Sequence, residues 1–476
     1  MHIDLILLVC LIFVASGFIG SAVIDQLGAD YTGTRRWLLM PITGLSLVAL
    51  LATVLSRIGA PAKYFGIPLV GILIAANVAY WVIRRPPRID RRRAALWGAG
   101  LLVTLLLVGW PLIVAGYDWV SYGNTDMTTY VLGANHFYEH NFYELPPLQD
   151  LLNDVDPSWN YSFYYSLGEI RSGSQLILAV VMAVTRLPAV KCYMVLIVVL
   201  HLIVLSTAAA FICSSRSREW LAFAALLVIG SSANLAVGTF NQLLPQDFGI
   251  AALAASAIAL LDRPPAGSAL YRRAALGGIF FATLLIAYPE LVPFVMLPFV
   301  IYASLGLFKR KMEPRGWLAY VGLIAVWTLV FANATVPGAL HMLLWAYGAS
   351  TTFTDVGALF PYYMTPFGLA LGWGLAPMQI GDVSASTWQT QARIAVGGLL
   401  FLGALFVTIR DALRLEPIAI VAAMMLLLFL ELFASKNAFG LFKLGMYAQP
   451  FVLGALTIGV AGMLGLRVAT ETTAEA

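Results

Sequence analysis

The sequence predicts an all-α protein of the polytopic membrane class, with about 13 transmembrane helices and one re-entrant or juxtamembrane helix. Three observations indicate this class. Of the 476 residues, 61% are hydrophobic and only 11% are charged, whereas a soluble domain carries about 25% charged residues. The hydrophobic residues form long runs, and Lys and Arg gather between them. This composition excludes a water-soluble enzyme, a disulfide-stapled secreted protein and a disordered chain.

A helix needs about 20 mainly apolar residues to cross a bilayer. Runs near that length occupy residues 5–24, 37–55, 64–83, 94–116, 190–213, 220–239, 248–261, 274–288, 291–308, 316–336, 394–409, 417–433 and 445–466. The first run has no basic segment before it and no clear cleavage site after it, so we expect a retained span. A shorter run at 172–185 ends at Arg186-Leu187-Pro188, and we expect it to re-enter or lie along the membrane.

The distribution of Lys and Arg predicts the orientation, because positive charges favour short cytoplasmic loops. If the run at 172–185 does not cross, 20 of the 28 basic residues fall on one side. That side is expected to be cytoplasmic, with residues 467–476 as a cytoplasmic tail. The two long loops, 117–189 and 337–393, then face outward, where we expect recognition or chemistry. The net charge of +4 is too small to indicate nucleic-acid binding.

The first outer loop carries a candidate catalytic carboxylate. Asn124 or Thr125 can cap a helix, which places Asp126 in its first turn. Tyr130 and Ala134 follow at intervals of four, on the same face as Asp126. The helix dipole favours the ionised carboxylate there, and a positioned carboxylate can act as a general base. The alternative is an ordinary first-turn Asp that only stabilises the start of the helix.

This pattern of Asp, Tyr four residues on and a small residue four further, after a membrane helix, resembles the GT-C superfamily of polytopic glycosyltransferases. The resemblance implies a polyprenyl-phosphate-linked sugar donor, Asp126 as catalytic base and a GT-C-like membrane core over residues 94–466. In that superfamily the Asp usually follows the first span, whereas here it follows the fourth. Residues 1–93 would therefore be an N-terminal addition of transmembrane helices.

Further polar residues lie at predicted outer helix ends or in the outer loop, where a sugar or phosphate could be bound. The candidate substrate-binding residues are Tyr130, Arg171, Gln246, Asp247, Glu290, Lys436 and Lys443. The carboxylates could equally reach headgroup water, and the lysines could extend to lipid headgroups. We expect Glu431 to form a structural pair with Lys436. For His201, which lies within a span, we expect a hydrogen-bonded packing role.

The segment from His136 to His140 fits the H-x-x-E-H pattern of one class of zinc protease. His136 and His140, four residues apart on a helix, can share a metal with Glu139 nearby. No third ligand follows at a suggestive spacing, and a solvated helix end fits the segment as well. No cofactor is required by the sequence, and a divalent metal stays an open alternative.

Together with these features, the resemblance implies an inverting glycosyltransferase of the bacterial inner membrane, active on the periplasmic face. It would move a sugar from a polyprenyl-phosphate donor to a glycan, lipid or protein acceptor. A membrane transporter or lipid-linked-sugar flippase is the main alternative, although the sequence shows no evident inverted repeat or pair of broken helices. An assembly subunit without activity is a second alternative.

Overall fold

A computed structural model describes residues 2–31, 33–84, 91–119, 125–153, 155–162, 171–214, 218–241, 243–352, 361–376 and 387–465. No β-strand occurs in these ranges, and 21 α-helices do. They are α1 Ile3–Leu27, α2 Gly33–Arg57, α3 Ala62–Arg84, α4 Arg91–Ala115, α5 Thr125–Glu139, α6 Leu148–Leu152, α7 Trp159–Ser162, α8 Gly173–Thr185, α9 Ala189–Ile212, α10 Glu219–Gly230, α11 Ala233–Phe240, α12 Leu244–Leu261, α13 Ser268–Ala287, α14 Pro293–Phe308, α15 Pro314–Ala332, α16 Val336–Thr352, α17 Phe367–Leu371, α18 Trp388–Ala412, α19 Pro417–Ala434, α20 Ala438–Tyr447 and α21 Gln449–Met463. Short 3₁₀ turns occupy Gly116–Asp118, Pro289–Leu291, Asn333–Thr335 and Pro361–Met364.

The predicted all-α polytopic class is confirmed. Among the described residues, 11 helices are long and apolar enough to cross a membrane, and up to 13 if each bent helix pair counts as one span. The interior of a bilayer offers no water to the backbone N–H and C=O groups. A segment that crosses it therefore forms a helix, in which these groups bond to one another. The central helix α12 is buried along its whole length and α9 is buried beyond its first turn, whereas most residues of α3, α14, α15 and α18 lie outside the buried core.

Ion pairs bring the predicted basic loops to one end of the helix bundle, which we call the basic end. Asp262, at the end of α12, pairs with Arg35 of α2 and with Arg273 of α13. Arg93 of α4 pairs with Glu219 of α10 at 3.2 Å. The grouping of basic loops that the sequence predicted is therefore present, and the other end of the bundle, the opposite end, carries the outer loops.

Helix α8 does not cross the bundle. Its first residue, Gly173, approaches the carbonyl of Ile286 near the end of α13. Its last residue, Thr185, contacts the Cys192 sulfur at the start of α9, 3.3 Å away. Both ends of α8 therefore lie at the opposite end, as expected for a re-entrant or juxtamembrane helix. Because α8 does not cross the bundle, the basic loops after it lie at the same end as those before it, as the charge distribution predicted.

The first three helices, which lie in the predicted N-terminal region 1–93, are bonded to one another and to the central helices. Asn77 of α3 donates to the carbonyl of Ile19 at 2.9 Å and accepts from the backbone of Ala22 at 3.0 Å. Ser206 of α9 donates to the carbonyl of Leu38 in α2 at 2.7 Å. These contacts join α1, α2, α3 and α9 through polar groups inside an apolar bundle.

Two predicted spans are broken, whereas the hydrophobic runs predicted continuous helices. The pair α10–α11 bends by 57° and the pair α20–α21 by 53°. The two breaks meet: Ser232 at the first break donates to Gln449 at the second, at 3.0 Å. Gln449 also donates to the carbonyls of Gly372 and Gly445. A bend interrupts the backbone hydrogen bonds of a helix, and these side-chain hydrogen bonds supply polar partners at the two breaks inside the bundle.

The second long loop is built partly of helix. Helix α16 continues beyond α15, and α17 packs against α18. Residues 353–360 and 377–386 of this loop lie outside the described ranges, as do 163–170 of the first loop, the candidate cap Asn124 and the tail 467–476.

Candidate functional site

A cluster of tyrosines and charged residues lies at the opposite end, where α13 ends. We name it the Tyr288 cluster. Its members are Tyr130, Arg171, Tyr288, Glu290, Lys443 and Tyr447. It joins four segments that are far apart in sequence: helix α5, the short segment before α8, the turn between α13 and α14, and helix α20.

Arg171 is the main link of the cluster. Its guanidinium pairs with the carboxylate of Glu290 and lies 4.2 Å from the ring centre of Tyr288. It also lies within electrostatic range of the Tyr130 hydroxyl. A planar guanidinium suits this combination of ion pair and ring stacking. One carboxylate oxygen of Glu290 is buried and accepts no hydrogen bond within the described part of the chain.

Lys443 reaches the same point from helix α20. Its ammonium donates to the Tyr288 hydroxyl at 3.2 Å and lies 4.6 Å from the ring centre of Phe439. Tyr447, one turn later, donates to the Tyr288 hydroxyl at 3.0 Å. The Tyr288 oxygen therefore accepts from both an ammonium and a phenol.

Two tyrosines of the cluster differ in acidity because their neighbours differ. Burial alone would raise the pKa of Tyr288, but Lys443 and Arg171 outweigh burial and lower that pKa to about 8. Burial raises the pKa of Tyr130 to about 12, although Arg171 acts in the other direction. The cluster thus holds cationic charge in excess, which favours any anion that enters it.

Asp126 lies beside the cluster, in the first turn of α5 as predicted. It is half-buried and within electrostatic range of Tyr130 and Tyr193. The helix begins at Thr125, so the carboxylate sits at the positive end of the helix dipole. A carboxylate with this exposure is accessible to a reacting hydroxyl.

Gln246 and Asp247 form the buried side of the same region. Gln246 donates to the sulfur of Met446, the residue before Tyr447, at 3.4 Å. Asp247 accepts from Thr239 at 3.1 Å, and Thr239 bonds His201 at 2.8 Å. The hydrogen-bonded packing role predicted for His201 is present. One oxygen of Asp247 and one ring nitrogen of His201 have no partner within the described residues.

Lys436 is not part of the cluster. It is exposed, and its left-handed backbone (φ 60°) ends helix α19. The pair with Glu431 that we expected is absent from the described ion pairs, and Glu431 is itself exposed. Of the seven candidate substrate-binding residues, the structure places Tyr130, Arg171, Glu290 and Lys443 in the cluster, with Gln246 and Asp247 behind it.

The candidate metal motif has other partners. Glu139 is half-exposed and pairs with Lys63 at 2.7 Å. His140 bonds Glu144 at 2.9 Å and lies 3.8 Å from the ring centre of Trp159. His136 is buried, and neither ring nitrogen has a described hydrogen-bond partner. No group of three or more His, Cys, Asp or Glu suited to a metal occurs among the described residues.

Sequence reasoning missed Tyr288 and Tyr447 as members of the site. Tyr288 precedes Pro289 and Glu290 at a helix end, and that position was the available signal. Tyr447 sits in an apolar helix, and its role depends on a partner 159 residues away. Comparison of the chain with protein-family models, curated proteins and solved structures found no match.

Proposed function

We propose that the chain is an integral-membrane glycosyltransferase that takes a sugar from a polyprenyl-phosphate donor. The observation that carries this proposal is the combination of one accessible carboxylate, Asp126, with two cations, Arg171 and Lys443, around the buried Tyr288. A carboxylate and a cationic anion site are the two requirements of sugar transfer from a lipid phosphate.

The chemistry needs little else from the protein. The carboxylate of Asp126 takes the proton from an acceptor hydroxyl as its oxygen attacks the anomeric carbon. The bond from that carbon to the phosphate oxygen breaks, and the electron pair leaves with the phosphate. Lys443 and Arg171 stabilise the departing dianionic charge. Because attack and departure occur on opposite faces, the configuration inverts.

The charge distribution supports a specific orientation within this proposal. Positive loops favour the cytoplasm, so the basic end would face the cytoplasm of a bacterial inner membrane. The Tyr288 cluster would then lie at the periplasmic surface. Cysteine-accessibility labelling of single-cysteine variants at two exposed positions, Ala266 in the turn between α12 and α13 and Asn160 toward the opposite end, tests this orientation in intact cells.

The central test compares Asp126→Asn with the matched control Asp150→Asn. Asp150 lies in the same outer loop, in α6, and is half-buried like Asp126. Both proteins are reconstituted in liposomes with a polyprenyl-phosphate sugar, and transfer and thermal unfolding are measured. We expect Asp126→Asn to lose about 10²–10⁴-fold in rate with an unchanged unfolding temperature. Full transfer by a folded Asp126→Asn protein would rule out its role as base.

A transporter is the second candidate, because the structure adds an observation in its favour. The joined helix breaks at Ser232 and Gln449 resemble the discontinuous helices of transporters, and Asp247, Thr239 and His201 form a buried polar chain. Asp247→Asn discriminates the two candidates. Transport would be favoured if the wild type transfers no sugar but moves a solute or protons across intact liposomes, and if Asp247→Asn loses that movement.

A further inference from the structure

A second polar cavity lies at the basic end, far from the Tyr288 cluster. Its volume is about 240 Å³, many times the 10–15 Å³ or so that a single water requires. It is bounded by the turn after α12, the end of α14, the start of α15 and the turn between α18 and α19. Its lining includes Arg263, Tyr302, Lys311, Trp317 and Arg414.

Three cations line this cavity: Arg263, Lys311 and Arg414. Within the described residues, the side chains of Arg263 and Lys311 have no ion pair. Arg414 is 68% exposed and approaches Asp411 only at 3.7 Å. At that exposure the pair contributes little. All three cations are therefore available to a ligand.

Two of the carboxylates near the cavity are already neutralised by other bases. Asp262 pairs with Arg35 and with Arg273. Glu416 accepts two hydrogen bonds from Arg218, at 2.7 and 2.8 Å. Asp262 and Glu416 thus do not cancel the charge of the three cations. One exposed acid, Glu313, lies beside the lining, so the cavity keeps a net positive charge and attracts anions.

Asp411 is the third acid nearby. Arg410 holds both of its oxygens, at 2.8 and 2.9 Å. Lys309 donates to the carbonyl of Leu413, so the turn that carries Arg414 is itself held in place.

The turns that carry the cations have similar geometry. Arg310 and Leu415 are both left-handed, with φ of 53° and 64°. After each, a backbone N–H bonds back to the preceding helix, Lys311 to Gly306 at 2.9 Å and Glu416 to Asp411 at 3.0 Å. Such caps stop a helix sharply. They place Lys311 and Arg414 at the cavity mouth.

The surroundings favour a membrane lipid over a soluble anion. Two buried aromatics that pack against each other, Tyr302 and Trp317, line the cavity, and such residues mark the headgroup level of a bilayer. Helix α14, which forms one wall, exposes apolar side chains such as Leu297, Val300 and Phe308 along its length. The lipid that surrounds this helix is the nearest source of an anionic headgroup for the cavity.

We infer that this cavity binds the phosphate headgroup of an anionic membrane lipid, held by Arg263, Lys311 and Arg414. Basic pockets between transmembrane helices bind such headgroups. The site is separate from the Tyr288 cluster, and it does not depend on the chemistry proposed there.

The test measures lipid retention by a pocket variant and a charge-matched control. The pocket variant is Arg263→Gln, Lys311→Gln and Arg414→Gln. The control neutralises three exposed cations of the same end that do not line the cavity, Arg91→Gln, Arg272→Gln and Arg315→Gln. Full-length proteins in phosphatidylcholine nanodiscs with spin-labelled phosphatidylglycerol report the immobilised lipid fraction. Native mass spectrometry of the detergent-solubilised proteins reports lipid that stays bound.

We expect each lost pocket cation to weaken binding about fivefold and all three by about 10²-fold, with the control close to wild type. Single variants separate loss of the site from misfolding of the triple variant. Lys311→Gln alone should weaken lipid binding, and Lys311→Arg, which keeps the charge, should retain it. An equal loss of lipid binding in the control variant would mean that general surface charge, rather than this cavity, attracts the lipid, and it would overturn the proposal. Displacement of the labelled lipid by inorganic phosphate alone, at equal affinity, would assign the site to a free anion and overturn the lipid proposal.

Discussion

The ammonium of Lys443 donates a 3.2 Å hydrogen bond to the hydroxyl of Tyr288, although 155 residues separate the two in sequence. Arg171 lies over the ring of the same tyrosine. Tyr288 therefore holds two cations in one position from two different segments. The positive charge of the candidate site depends on this arrangement rather than on either cation alone.

Lys443→Gln is expected to lower sugar transfer by about 10²–10³-fold, because one preorganised donor to the leaving phosphate is lost. The matched control is Lys436→Gln, which removes an exposed lysine seven residues earlier. Transfer from a lipid-phosphate donor in liposomes measures both. A similar loss in the two variants would mean that Lys443 acts only through general surface charge.

Acid is expected to destabilise the protein through His136. Burial, and next the neighbouring His140, lower the pKa of His136 to about 4, whereas an unfolded histidine titrates near 6.5. Between these values the unfolded chain binds a proton that the folded protein does not. The free energy of unfolding is therefore highest above about pH 6.5 and decreases as the pH falls toward 4.

Thermal or denaturant unfolding at pH 7 and pH 5 measures this effect. The wild type should lose about 2 kcal/mol between the two, and His136→Leu should lose that pH dependence. His341→Leu replaces an exposed histidine and serves as the control. We expect this variant to keep the pH dependence of the wild type. An unchanged pH dependence in His136→Leu would show that other groups cause the acid sensitivity.

Asp262→Asn is expected to destabilise the protein by about 3 kcal/mol, because it removes the carboxylate that Arg35 and Arg273 share in a buried setting, while Arg273 keeps its 2.7 Å pair with Asp30. Glu313→Gln is the control, since Glu313 is exposed at the same end. Unfolding in detergent measures the difference. A shift as small as that of the control would indicate that water already solvates the two arginines.

Gly44→Ala is expected to destabilise the α1–α2 contact by about 1–3 kcal/mol or more through overpacking. A Cβ at Gly44 would lie 1.8 Å from the backbone oxygen of Ser16. Such close helix crossings need small residues in a membrane. Gly71→Ala in α3 is the control because nothing lies within 4 Å of its added Cβ. Unfolding temperatures in detergent distinguish the two variants, and equal values would contradict the close packing.

The candidate site was predictable only in part, and Asp126 and Lys436 show why. The first-turn position of Asp126 follows from local signals, a capping residue and a four-residue spacing, so it was predicted correctly. Lys436 and Lys443 look alike in sequence, as basic residues around one aromatic segment. A left-handed turn at Lys436 exposes its side chain, whereas helix α20 carries Lys443 to Tyr288.

By itself the sequence determined the all-α membrane class, nearly all of the spans and the gathering of basic loops at one end. Hydropathy and loop charge act over about 20 neighbouring residues, so these features need no knowledge of the fold. Only the tertiary structure decided that Arg171, Tyr288 and Lys443 meet, and that two spans break where Ser232 contacts Gln449. Those contacts join residues more than a hundred positions apart, and helix packing alone brings them together.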